Sequence, residues 1–381
     1  MKRSESAKFQ NLDAALDFQA SILGGVSRTF ALTIPSLPGP LRPPVTNAYL
    51  LCRIADTIED DCALSIEQKS RFGHQFVDCI AGSAASDDFA SRLTPLLGPT
   101  TLAAERELVS RTAEVLQVTH SFNATQQAAL ARCVTLMTEG MHRFQHNAGN
   151  RGLSSRLQLD EYCYHVAGVV GEMLTELFCE YSPEVARQRR LLMKLAPSFG
   201  QGLQMTNILK DIWDDRERNV CWLPREHFDL DSAGDSDLIG SLDDNDFVRG
   251  MELLVVQAHG HLRNALSYTL LIPREQRGIR RFCLWALGMA VPTLKNIYLK
   301  PGFSSADEVK ISRRQVRRIV RRYGLLAGND GLIRWLFKRA SAGLPQSDPS
   351  VGLQLEAIVA AASPFESTDQ EEPVQHSVRA N

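Results

Sequence analysis

Apolar residues recur at steps of three and four along most of this 381-residue chain, and this period constrains the fold more than any other feature. An α-helix turns once in about 3.6 residues, so the repeat lines one helical face with apolar side chains. The clearest such segments are 13–26, 45–58, 126–144, 159–181, 189–215 and 247–271. No stretch alternates β-branched and polar residues between turn signals, as a half-buried strand would. The pattern therefore predicts an all-α fold.

The interruptions between these segments do not divide the chain into several domains. Five prolines predict a loop at 33–44, small residues predict a surface loop at 81–93, and acids mark a linker at 229–247. No segment repeats at a fixed period. We therefore expect one domain over residues 1–362, followed by a disordered polar tail over 363–381.

Composition excludes several classes of protein. A net charge of −2 argues against a dedicated nucleic-acid binder. The eight cysteines stand singly without a CxxC pair, which disfavours a zinc ribbon and indicates reduced thiols in a cytoplasmic protein. The most apolar stretch, 282–299, is interrupted by Pro292 and Lys295, so we interpret it as a buried core helix.

The first stripe of polar residues runs toward the end of the apolar helix predicted over 47–61. Tyr49, Arg53, Asp56 and Asp60 are spaced by four, three and four residues, which places them on one face, and Glu59 lies beside them. Asp61 points away from this stripe, and we expect it to tolerate replacement best of the acids in this cluster.

A second stripe occupies the helix over 204–215. Gln204, Asn207, Asp211 and Asp215 are spaced by three, four and four residues within an otherwise apolar segment. Buried amides and carboxylates are costly unless they are paired or bound to a cation. A solvated face is the simpler explanation for one stripe, but two such stripes in one chain weaken it.

Two facing carboxylate stripes need a counter-charge, and Mg²⁺ fits because it binds a few carboxylates together with substrate phosphates. The chain lacks the calcium-loop pattern and the Glu-x-x-His pairs of di-iron bundles. The residues alone thus predict a helical bundle that holds a diphosphate through Mg²⁺, with an apolar cavity for its hydrocarbon.

Four segments, in order, resemble the squalene and phytoene synthase family of head-to-head prenyl synthases. They are the Ser-Arg-x-Phe segment at 24–32, the acidic motif at 56–61, the Tyr-Cys segment at 161–178 and the second acidic motif at 199–224. The resemblance covers roughly residues 20–320 and implies a single-domain isoprenoid synthase bundle with a central cavity. It also implies that two prenyl diphosphates are joined through a cyclopropyl diphosphate.

The resemblance also assigns roles to residues. It implies Mg²⁺ ligands at Asp56, Glu59, Asp60, Asp211 and Asp215, with substrate contacts from Ser27, Phe30, Gln204 and Asn207. It implies that Arg28 and Arg53 bind diphosphate oxygens and that Tyr162 and Tyr49 lie near the reacting carbons. One family arginine is replaced here by Val220, whereas Arg216 and Arg218 lie earlier.

Two further segments resemble the branch that reduces its product with NADPH. The segment 280–299 resembles the Phe-Cys segment of squalene synthases, and 307–322 resembles their Val-Lys-Ile region. This resemblance implies cofactor contacts from Lys310 and Arg313, and from Lys210 beside the second acidic motif. The arginines of 314–321 share a face that is alternatively a solvated surface or a contact with an anionic membrane.

The sequence therefore predicts a squalene synthase that uses Mg²⁺ and NADPH to couple two farnesyl diphosphates through presqualene diphosphate. One alternative is a non-reductive dehydrosqualene or phytoene synthase. Another is a helical membrane-surface binding protein without catalysis. We expect a monomer in the cytoplasm, soluble or peripheral at a membrane because the tail is polar, with no nucleic-acid partner.

Overall fold

The computed structural model describes residues 2–145, 149–228 and 237–346, so the predicted tail at 363–381 lies outside the described residues. Within the described ranges, the chain forms α-helices and short 3-10 turns. The helices are α1 (Lys2–Val26), α2 (Arg28–Thr33), α3 (Arg42–Asp60), α4 (Ile66–Ile80), α5 (Ser86–Leu93), α6 (Ala103–Ser110), α7 (Thr112–Thr119), α8 (Ala124–Gln145), α9 (Arg156–Cys163), α10 (Val169–Tyr181), α11 (Pro183–Ala186), α12 (Arg189–Glu217), α13 (Asp244–Leu271), α14 (Arg277–Leu299), α15 (Ala306–Val309), α16 (Arg313–Leu326) and α17 (Asp330–Ala340).

The predicted all-α class is confirmed. The described residues contain no strand. The only β-type pairing among them is an isolated parallel bridge between Leu153 and Pro224. A π-helical turn, Tyr164–Gly168, joins α9 to α10 and so alters the helical register just after Tyr162.

Helix α12 lies at the centre, packed against α10, α13 and α14. Its approach to α10 is close because two positions carry no side chain. A Cβ atom on Gly171 would lie 2.1 Å from the Ala196 carbonyl oxygen, and one on Gly200 would lie 2.0 Å from the Ala167 carbonyl oxygen. The absence of side chains at Gly171 and Gly200 therefore allows this close helix packing.

Two clusters of buried apolar residues support the helices. One is built mainly from α1 to α8 together with α10, and the other mainly from α9, α12 to α14, α16 and α17. Val166 and Phe199 pack against both clusters. Ile58 of α3 belongs to the first cluster, and Ile212 of α12, next to the second acidic stripe, belongs to the second.

Helix α14 contains the most apolar stretch of the sequence. By length and composition it is the one helix in the described part of the chain that could cross a membrane, and 56% of its most apolar window is buried inside the protein. It packs against α12, α13 and α16, as the predicted core helix should.

Two predicted loops are partly helical. The prediction of a loop over 81–93 is wrong for its second half, because Ser86–Leu93 form α5 and bury Phe89 and Leu93 in the core. The 33–44 segment contains two 3-10 turns, and α3 already begins at Arg42. Proline fits the first turn of a helix because the amide hydrogens there have no intrahelical acceptor.

Candidate active site

The first acidic stripe faces one way along α3, as the sequence predicts. The hydroxyl of Tyr49 donates to the Val26 carbonyl at 2.9 Å and accepts from Arg53 Nε at 3.1 Å. The guanidinium of Arg53 in turn lies 3.8 Å from Asp56 and 3.7 Å from Glu105. Glu105, on α6, was missed by the sequence analysis. These contacts fix Arg53 between the aromatic ring and the acids.

The Ser-Arg-x-Phe segment packs against the same face. Ser27 caps α2 by accepting from the Phe30 amide at 3.0 Å, and the ring of Phe30 lies 4.6 Å from that of Tyr49 between centroids. The side chain of Arg28 is exposed and forms no ion pair with any residue in the described part of the chain. The Arg28 guanidinium is therefore available to bind an external anion next to this face of α3.

Two carboxyl groups of the first stripe, those of Asp56 and Glu59, hold their protons more tightly than isolated acids. Removal from bulk water, with smaller contributions from Asp60 and Glu105, raises the pKa of Asp56 to about 7 despite the opposing effect of Arg53. Burial likewise raises the pKa of Glu59 well above its usual range, with Asp60 and Asp56 adding to the effect. Burial and mutual repulsion of these acids therefore outweigh the nearby positive charge.

The second stripe runs along α12 toward its last turn. Gln204 is half-buried and Asn207 is exposed, while Lys210 lies 3.2 Å from the Asn207 side-chain oxygen and 3.0 Å from Asp211. Asp215 is buried, which raises its pKa to about 6 although Arg218 donates a hydrogen bond to it.

Arg218 connects the two stripes. One end of its guanidinium lies 3.1 Å from Asp60 on α3, and the other donates to Asp215 on α12. A single guanidinium thus contacts both acidic motifs. The sequence analysis did not count Arg218 among the site residues; the signal was a basic residue three positions after Asp215, while the family position is Val220.

Tyr162 lies beside both stripes. Burial raises the pKa of its hydroxyl well above 10, and Glu59, Asp60 and Asp215 add to the shift. Its ring stacks on Trp222, with centroids 3.8 Å apart and planes inclined by 10°. Trp222 was also missed, although it lies within the segment 199–224 that resembles the family. Tyr162 is therefore a neutral phenol held in one orientation.

The donor set fits a hard divalent cation. All donors are oxygens, three carboxyl groups have raised pKa values, and Glu59 Oε1 is buried without a hydrogen-bond partner among the described residues. No group of three or more His, Cys, Asp and Glu side chains in the described ranges is close enough to hold a metal alone. The oxygen donors suit Mg²⁺, which takes part of its coordination from substrate phosphates and water.

Of the residues implied for cofactor binding, Lys210 lies beside Asp211, whereas Lys310 and Arg313 lie later in the chain. Lys310 caps α15, which packs against α12, and its ammonium lies 3.2 Å from Asp307. Arg313 opens α16 and is exposed. The structure gives neither residue a contact with the acidic stripes.

Asp61 differs from its sequence prediction. Its side chain points away from the stripe as expected, but it is only 4% exposed. It accepts from the Ala63 and Gly98 amides, both at 2.8 Å, and from the Thr101 hydroxyl. Asp61 therefore joins the end of α3 to the segment before α6, and the expectation that it tolerates replacement best is wrong.

We expect Asp61→Ala to lower the free energy of unfolding by about 2–3 kcal/mol at neutral pH, because buried donors lose their acceptor. Although burial opposes its charge, hydrogen bonds from Thr101, Gly98 and Ala63 hold the pKa of Asp61 below its usual value. The stabilisation is therefore present above a pH of about 4 and is lost as the pH falls through the folded-state pKa. Urea unfolding at several pH values measures this, with exposed Asp78→Ala as the control; equal losses in both variants would contradict it.

Comparison with known proteins agrees with this geometry. The family model described as squalene/phytoene synthase matches residues 23–315, which is more than half of the chain. The chain is 26% identical over 299 residues to squalene synthase ERG9 of Gibberella zeae, covering 77% of this chain and 61% of that one. It is 28% identical over 293 residues to squalene synthase clz20 of Cochliobolus lunatus, with coverages of 75% and 66%.

A solved structure is similar over nearly its whole length. The complex of TcSQS with the ligand E5700 superposes with a TM-score of 0.71 and 26% identity, covering 92% of this chain and 97% of that one. The curated relatives are longer, since this chain spans 61% and 66% of their lengths.

Proposed function

This chain belongs to the squalene/phytoene synthase family, and on that premise we propose that it is a squalene synthase. It condenses two farnesyl diphosphates head to head into presqualene diphosphate and then forms squalene with NADPH as the reductant. The observation that carries this proposal is the meeting of two carboxylate stripes across Arg218, directly beside the buried phenol of Tyr162.

We propose that Asp56, Glu59 and Asp60 on α3, with Asp211 and Asp215 on α12, hold Mg²⁺. When bound, the ion neutralises the charge that develops on the departing diphosphate. The raised pKa values of Asp56, Glu59 and Asp215 support this assignment, because such a cluster is relieved by added positive charge.

The arginines bind and orient the diphosphate groups in this proposal. Arg53 is held by Tyr49 and Asp56, so its planar donor fork is already oriented before substrate arrives. Arg28 is exposed without an ion-pair partner in the described ranges, which leaves its donors free for a phosphate oxygen. Arg218 supplies a cation near the position where relatives carry an arginine and this chain has Val220.

Tyr162 keeps its proton at physiological pH and presents a hydroxyl dipole near the reacting carbons. Its raised pKa supports this role, since an ionised phenolate would react with a carbocation. Ser27, Phe30, Gln204 and Asn207 line the substrate path, and apolar helix faces exclude water from the hydrocarbon.

The reductive step distinguishes this proposal from a dehydrosqualene or phytoene synthase. NADPH, when bound, supplies a hydride. Lys310 and Arg313 are exposed cations that suit its phosphate groups, and Lys210 lies beside Asp211 at the edge of the acidic cluster. The similarity to two squalene synthases supports the reductive branch.

Purified protein incubated with farnesyl diphosphate and Mg²⁺ tests the proposed reaction. With NADPH we expect squalene as the hydrocarbon product; without it we expect presqualene diphosphate or unreduced products to accumulate. A hydrocarbon profile that does not change as NADPH is titrated would contradict the reductive step. Light scattering during gel filtration tests the accompanying proposal that this cytoplasmic enzyme is a monomer.

A further inference from the structure

Helix α16 carries a dense basic face, of which the proposed chemistry uses only Arg313. Six of its fourteen residues are arginines and none is acidic. All six are exposed, and none forms an ion pair within the described ranges. They are Arg313, Arg314, Arg317, Arg318, Arg321 and Arg322.

The opposite face of α16 fixes its orientation. Ile319 and Tyr323 pack so closely on α14 that a Cβ atom on Gly288 would lie 2.8 Å from Ile319 and 2.9 Å from Tyr323. Because Tyr323 is buried, the helix cannot rotate its arginines inward. The basic face is therefore a fixed part of the outer surface.

Charge at this corner of the molecule is strongly asymmetric. Residues 313–340 contain nine arginines and lysines but a single acid, in a chain whose net charge is −2. That acid, Asp330, is already paired with Arg274 and Arg280, each at 2.8 Å. The remaining cations thus have no internal counter-charge and favour an anionic partner.

Large apolar side chains are exposed at the same corner. Leu325, at the end of α16, is 79% exposed, and Trp335 of α17 is 56% exposed with Arg339 over its ring at 5.9 Å. An open cleft of about 450 Å³ adjoins Leu325. Its lining includes Leu32, Pro35, Trp285, Arg281, Arg321 and Leu325.

We propose that α16 and α17 dock this protein on the surface of an anionic lipid bilayer. Arginines bind the phosphate-rich headgroup layer, while Leu325 and Trp335 enter the boundary between headgroups and acyl chains. Free anions or nucleic acid would account for the arginines but not for the apolar side chains between them. Docking here also places the enzyme next to the phase into which a hydrocarbon product would partition.

Vesicle flotation with the full-length protein tests this proposal. We expect binding to phosphatidylcholine vesicles that contain about 30% phosphatidylglycerol, little binding to pure phosphatidylcholine, and release at about 1 M salt. The variant Arg318→Gln, Arg321→Gln, Arg322→Gln should bind about 100-fold more weakly, since each cation near such a surface contributes about 1 kcal/mol. Its matched control is Arg71→Gln, Arg187→Gln, Arg190→Gln, which removes three exposed cations elsewhere.

A second pair of variants tests the apolar contribution. Leu325→Ser, Trp335→Ser should weaken vesicle binding on the order of tenfold, whereas Leu102→Ser, Leu191→Ser, at exposed positions elsewhere, should not. Brominated lipids should quench the fluorescence of the wild type more than that of Trp335→Phe.

Several outcomes would overturn membrane docking: no vesicle binding by the wild type, equal losses in both arginine triples, or equal binding to neutral vesicles. An arginine triple that still binds vesicles but has a higher KM for NADPH would assign this face to the reductant instead. Farnesyl diphosphate turnover in detergent without vesicles should be unchanged in all these variants. Because turnover and docking are measured separately, failure of one proposal is distinguishable from failure of the other.

Discussion

An Asp56→Asn, Asp60→Asn double variant is expected to release diphosphate from farnesyl diphosphate about 10³-fold more slowly than the wild type. Both changes remove a carboxylate from the face that the proposed metal site requires. Loss of a metal ion's stabilisation of a leaving group corresponds to several kcal/mol of activation free energy. Coupled phosphate detection after pyrophosphatase treatment measures this rate.

The double variant should still fold. The pKa of Asp56 is raised to about 7, so an ionised carboxylate at that position costs the metal-free protein stability rather than adding to it. Asp60 loses an exposed pair with Arg218, which contributes at most about 1 kcal/mol. Thermal unfolding should therefore shift by only a few degrees.

A matched control distinguishes a general loss of negative charge from the loss of the proposed metal ligands. Asp78→Asn, Asp87→Asn removes two exposed carboxylates on α4 and α5 and should keep wild-type diphosphate release. If the Asp56, Asp60 variant also kept wild-type release, the acidic stripes would not be catalytic. The alternative of a helical binding protein without catalysis would then account for the fold.

Tyr162→Phe is expected to lower kcat by about 10²–10⁴-fold, the usual contribution of a positioned proton donor or acceptor. The substitution keeps the ring that stacks on Trp222 and removes only the hydroxyl. Substrate affinity should therefore change little. Steady-state kinetics with farnesyl diphosphate gives kcat and KM separately, and Tyr181→Phe, at the end of α10, is the matched control.

Whether kcat or KM changes in Tyr162→Phe shows what the hydroxyl does. A fall in kcat alone means that it acts in the transition state. A rise in KM with unchanged kcat would show that Tyr162 contributes only to binding, which would contradict its proposed role. A fall in unfolding temperature equal to the loss seen in a core variant would identify the hydroxyl as structural.

The sequence was most informative where a helical repeat determines which side chains share a face. Tyr49, Arg53 and Asp56 lie together because residues three and four apart are neighbours on any α-helix, and their contacts agree with that prediction. The all-α class followed from the same period.

The sequence was least informative where the contact joins two helices. Arg218 was set aside because it does not occupy the family position, yet it bridges Asp60 and Asp215. Its partner on α3, Asp60, lies 158 residues earlier in the chain. The spacing of residues along one helix gives no information about a contact over that separation. Trp222 was missed for the same reason.

By itself, the sequence determined the long helices and which face of α3 and α12 is acidic, because both depend on local spacing. Only the tertiary structure decided what each face meets. It buried Asp61 against Gly98 and Thr101, and it folded 86–93 into a helix because Phe89 and Leu93 found a core to enter. Burial depends on elements distant in the chain, and so the cost or benefit of a charge cannot be read from its neighbours in sequence.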